Sequence, residues 1–86
     1  MRISFHKHFE KKFKKLDVKL KNVFYKKLKI FSVDPFGQEL NNHPLKGRYV
    51  GYRSINVTPD IRAVFKFLSE DSVEFDDIDN HNNLYK

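Results

Sequence analysis

The sequence predicts a small α+β (α/β) domain in the order strand, two helices, three strands. Three observations lead there. Apolar residues recur at steps of three and four from Phe9 to Phe31, they alternate with polar ones after Tyr49, and turn residues stand between the segments. With 86 residues, a hydrophobic fraction of 40%, nine Phe and four Tyr, the chain can bury one aromatic core and no second one. Residues 1–86 are therefore read as a single domain.

The elements follow in order. RISF at residues 2–5 alternates charged and apolar residues, as a short strand with Ile3 and Phe5 turned inward. Phe9, Phe13 and Leu16 then form one stripe of a short helix, with lysines on its other faces. Asp17 is placed to cap a second helix, whose stripe is Leu20, Val23, Phe24, Leu28 and Phe31. Asp34, Pro35 and Gly37 end it. After a polar loop, Tyr49 to Val57 reads as one strand, with Gly47 and Gly51 serving turns or a bulge. Thr58-Pro59-Asp60 makes a turn, Ile61 to Phe67 alternates, SEDS at 69–72 turns again, and Val73 and Phe75 open a last strand. The expected architecture is a mainly antiparallel four-stranded sheet with both helices on one face and a polar face opposite. Phe9, Phe13, Phe24, Leu28, Phe65 and Phe75 are the expected core.

Alternation also assigns chemistry to the open face. If Ile61, Ala63, Phe65 and Phe67 face the helices, Arg62 and Lys66 face outward. On the preceding strand Ile55 and Val57 point inward, so Tyr52, Ser54 and Asn56 share the open face, while Arg53 falls on the helix side. Rigid strands carrying cations, fringed by loops with His43 and His81, make a phosphate-handling surface.

Charge points the same way. Residues 1–29 carry eleven Lys or Arg against two acids, and residues 69–86 carry one against six, within a net +6. A basic body of this kind attracts polyanions, nucleic acid foremost. The chain has no cysteine, which excludes disulfides and thiolate metal sites. His6 and His8 have no carboxylate at ligand spacing, so no metal is expected. No apolar run reaches the length of a membrane span and no signal peptide is recognised, so the expectation is a cytoplasmic protein without membrane contact.

HPLKG at 43–47, GYRSI at 51–55, PDIRAVFK at 59–66 and HNNLY at 81–85 together resemble the RelE/ParE toxin superfamily, and within it the YafQ-type messenger-RNA interferases. The resemblance implies the β-α-α-β-β-β fold and a ribosome-dependent endoribonuclease. It further implies that the enzyme is free of metal and cofactor and is silenced by a cognate antitoxin. In such chemistry a base takes the proton of the ribose 2′-hydroxyl, which attacks phosphorus. Cations stabilise the phosphoryl oxygens, and an acid protonates the departing 5′-oxygen. Carried over by position, the resemblance assigns His43, Asp60, Arg62, His81 and Tyr85 to catalysis. Lys46, Arg48, Tyr52, Arg53, Asn56 and Lys66 are assigned to RNA binding. Two departures stand out: Asn56 replaces a histidine of the middle strand, and Asp77 replaces an arginine four residues before the last histidine. The competing readings are a ParE-like toxin that binds DNA gyrase and cuts nothing, and a catalytically decayed relative that still binds antitoxin.

Overall fold

A computed structural model of the chain describes residues 1–84. The chain forms β1 (Arg2–Phe5), α1 (Lys7–Lys14), α2 (Val18–Val33), β2 (His43–Pro44), β3 (Arg53–Asn56), β4 (Ile61–Ser69), β5 (Ser72–Asn80) and α3 (His81–Leu84). The sheet order is β1-β5-β4-β3-β2, with β1 parallel to β5 and every other neighbour antiparallel. The expected order of elements holds, as does the antiparallel run of β3, β4 and β5.

The helices form where side chains supply their ends. The Asp17 carboxylate accepts from the backbone N–H of Leu20 at 2.8 Å and starts α2. Phe9, Phe24 and Phe31 then pack onto Ile55, Ala63, Phe65, Phe75 and Ile78 of one sheet face. Phe65 lies against Phe31 at a ring separation of 4.9 Å, and Phe75 touches both. Phe9, Phe24, Phe65 and Phe75 are buried as expected, whereas Phe13 and Leu28 are only partly so, because they sit at the border of the helix stripes.

Several expectations need correction. The strand read from Tyr49 begins only at Arg53. Gly47 and Gly51 adopt positive φ, +65° and +90°, which turns the chain twice and puts Tyr49 in a short 3-10 turn. The sheet has five strands because the two residues of β2 pair with β3. Phe67 is 37% exposed, since β4 runs past the helices that cover its first half. The open face is not wholly polar either. Val64 is fully buried there beneath Leu45 and Leu84, with Tyr49 and Tyr52 packed alongside.

One irregularity shapes the site. Val64 pairs with Asp77 but Phe65 pairs with Phe75, so Asp76 is an extra residue in β5. The bulge lets Phe75 and Ile78 both face the core, three residues apart, and brings both Asp76 and Asp77 to the open side.

Candidate functional site

β1 ends opposite Phe75, and α1 follows along the edge of β5 that β1 leaves uncovered. Phe9 turns into the core, while His8 and Lys12 reach carboxylates of β5. The Lys12 ammonium lies 2.8 Å from both Asp77 Oδ1 and Asp79 Oδ2. Burial alone would lower the Lys12 pKa, but hydrogen bonds to the two carboxylates outweigh it and raise it. Burial would push the Asp79 carboxyl up, yet hydrogen bonds from Lys12, Asn83 and the Asn80 backbone hold it below its ordinary value. Asp77 also accepts from the Tyr49 hydroxyl at 3.2 Å. Burial, then the Asp77 charge, raises the Tyr49 pKa.

Lys66 is similarly engaged. Its ammonium is 3.6 Å from both Glu74 and Asp76, sits over the Tyr52 ring and donates to the Tyr52 hydroxyl at 3.4 Å. That hydrogen bond is the main reason its pKa is raised. The neighbouring Asp76 carboxyl, and after it burial, raises the Glu74 carboxyl.

The assigned residues divide by position. Asn56 and Arg62 are register partners on the open face, followed across the sheet by Asp79. Asn56 Oδ1 and Arg62 Nε are both buried without a hydrogen bond among the described residues. Asp60 and His81 meet at the same end through their backbones, the His81 backbone N–H donating to the Asp60 backbone carbonyl at 3.0 Å. His43 sits apart on β2, three strand spacings from β5, or about 14 Å. Its Nδ1 is 2.8 Å from the Asn41 carbonyl and its Nε2 is 3.4 Å from Ser54 Oγ. Arg53 is directed away from the open face, donating to Asn42 at 2.7 Å and stacking on Phe36. Lys46 precedes the 3-10 turn and is exposed. Arg48 stacks on Tyr49 and donates to the Leu84 carbonyl at 3.3 Å. Tyr85 lies outside the described residues.

Sequence reasoning named Arg48, Tyr52 and Lys66 but missed the histidines and carboxylates grouped with them. A cleft of about 340 Å³ opens on this face, with His6 and His8 on the α1 side. Arg48, Tyr49 and Tyr52 line the other side, and Lys66, Asp76 and Asp77 come from the strands. His8 and Asp77 are 69 residues apart in the chain, so no local spacing announces their contact. The one available signal is the three-residue step from Phe75 to Ile78, which marks the bulge. A larger hollow of about 610 Å³ between α1 and α2, floored by Phe5, Phe13 and Tyr25, contains none of the assigned residues.

No protein-family model matches the sequence, and no curated protein matches it. Solved structures do: the fold is that of the RelE/ParE-like toxins, YafQ-like members included. A YoeB/ParE toxin from Agrobacterium tumefaciens superposes with a TM-score of 0.78 at 19% identity, over 94% of this chain and 99% of that one. A metal-bound toxin from Helicobacter pylori gives 0.74 at 25% identity over 98% of both chains. A chain of the E. coli DinJ–YafQ toxin–antitoxin complex gives 0.68 at 24% identity, over 98% and 96%. Among the described residues, no group of three His, Asp or Glu side chains could hold a metal ion. No described helix is long and apolar enough to cross a membrane.

Proposed function

We propose that the chain is the toxin of a toxin–antitoxin pair and acts in the cytoplasm as a ribosome-dependent endoribonuclease. The observation that carries this reading is that Asn56, Arg62, Asp60 and His81 occupy neighbouring backbone positions at one end of the sheet. Arg62 Nε and Asn56 Oδ1 are buried without a hydrogen bond among the described residues. The outer N–H groups of the half-buried Arg62 guanidinium would meet a phosphate oxygen. His81 at the rim supplies a proton carrier for the 2′-hydroxyl or the leaving 5′-oxygen. DNA lacks the attacking hydroxyl and would be spared. The likeness to the YafQ chain of a toxin–antitoxin complex supports an antitoxin protein as the restraining partner.

A second reading is favoured by a specific feature. Asp77, where the resembled enzymes carry an arginine, is buried and ion-paired to Lys12, which removes a cation from the face. A relative that binds antitoxin but no longer cuts fits that pairing. Purified protein incubated with translating ribosomes and a reporter messenger RNA separates the two. Cleavage that a neighbouring gene's product titrates away supports the enzyme. Intact message with tight binding of that product supports the decayed relative, and intact message without binding overturns both.

A further inference from the structure

We infer that His8 is the general base of RNA cleavage in this chain, held by Asp77, with the reacting phosphodiester lying between the start of α1 and the end of β5. The inference deepens the ribonuclease reading above and rests on it.

His8 presents a half-exposed side chain to the cleft, and its Nε2 is 3.4 Å from Asp77 Oδ1. Asp77 is 6% exposed and cannot swing away. Lys12 and the Ile78 backbone N–H reach its Oδ1, each at 2.8 Å, and the Tyr49 hydroxyl reaches its Oδ2 at 3.2 Å. Asp77 faces Nε2, and a proton held there leaves Nδ1 as the nitrogen that accepts. His43, by contrast, has both ring nitrogens directed at protein oxygens, the Asn41 carbonyl and the Ser54 hydroxyl.

The surroundings complete the chemistry. Arg48 has no carboxylate within ion-pairing distance among the described residues, and its donation to the Leu84 carbonyl ties it to α3, whose first residue is His81. Arg62 lies on β4 opposite Asp79, between the levels of Asp77 and His81 along β5. In the proposed pose the Arg48 and Arg62 guanidiniums serve the phosphoryl oxygens, with His8 as base on the α1 side and His81 as acid at the α3 end. The 2′-hydroxyl gives its proton to His8 Nδ1, its oxygen bonds to the adjacent phosphorus, and the P–O5′ bond breaks. Protonated His81 supplies the proton to the departing 5′-oxygen, leaving a 2′,3′-cyclic phosphate and a 5′-hydroxyl. Solvent then restores both imidazoles. The substrate this geometry fits is single-stranded RNA, with Tyr52 offering a ring for a base to stack on.

The test compares the parent chain with H8Q and H8A in the same ribosome-dependent cleavage assay, alongside thermal melts of each. The His8 side chain is 53% exposed, so both variants should melt close to the parent. The expected result is a loss of cleavage on the order of 100-fold or more in each variant, with added imidazole partly restoring H8A. A folded H8Q that cuts as fast as the parent overturns the assignment while leaving the ribonuclease reading intact. A loss that imidazole cannot relieve in H8A, together with a lowered melting temperature, reduces His8 to a structural partner of Asp77 and also overturns it. A parent that does not cut at all removes the ribonuclease reading and the role of His8 together.

Discussion

Replacing Lys12 by methionine removes one charge and keeps most of the side chain's volume, so it isolates the ion pairing that ties α1 to β5. The lysine is 32% exposed, but the Asp77 side chain it neutralises is only 9% exposed, and Asp79 is 24% exposed. Removing one partner of a buried pair costs roughly 3–5 kcal/mol because the other is left charged in a poor dielectric. Asp77 would keep the Tyr49 hydroxyl and the Ile78 N–H, and solvent reaches Asp79, which places the loss at the lower end, about 3 kcal/mol. For a domain of this size that is a fall of roughly 12–24 °C in Tm. Urea unfolding of Lys12→Met, followed by far-ultraviolet circular dichroism at pH 7, measures it directly. The double variant Lys12→Met/Asp77→Asn should recover a large part of the loss, since the stranded charge is then gone. A loss below about 1 kcal/mol would show the pair to be an ordinary solvent-screened contact and refute the reasoning. So would a double variant whose loss is the simple sum of the two single ones.

The same ion pairs set the pH range of stability. Asp79 is depressed in the folded chain, so its contribution is full above its unfolded value, about 3.9, and disappears as pH falls through the folded one. Lys12 is raised, so its contribution is full below about 10.4 and disappears as pH climbs through its folded value. Urea midpoints across pH should therefore form a plateau that falls at both ends, and Lys12→Met should flatten the alkaline limb. Phe65→Ala, at a site with 0% exposure between Phe31 and Phe75, should cost about 3–5 kcal/mol. A loss under 1 kcal/mol there would contradict the β4 register. Gly51→Ala should cost roughly 1–2 kcal/mol from backbone conformation alone, because φ is +90° and a Cβ would meet nothing within 4 Å. Arg62→Ala should slow cleavage more than it weakens RNA binding, since its charge matters most when the phosphoryl oxygens gain theirs. Equal losses in both would make it a ground-state contact.

Much of this architecture was legible in the order of residues because helices and strands are written in local periods. The stripe through Phe9 and Phe24, the cap at Asp17 and the alternation through Ala63 and Phe65 each depend on neighbours within a few positions. The same alternation correctly put Arg62 on the open face and Arg53 off it. Where sequence reading erred, a competing local preference was in play: positive φ at Gly47 and Gly51 cut short a strand that its side-chain pattern favoured.

The middle of the open face was decided elsewhere. Leu45, Val64 and Leu84 form its apolar cover, and each is unremarkable alone. In the sequence His8 has no carboxylate at ligand spacing and Asp77 only replaces an arginine; the parallel pairing of β1 with β5 lays α1 along the same edge and brings the two together. The bulge at Asp76 then brought a second carboxylate to the open side. A contact between residues so far apart depends on how strands pair and where one stops, which is set by burial of the whole core. Periodicity reports which way a side chain points from its own element, and only the assembled sheet determines what it meets there.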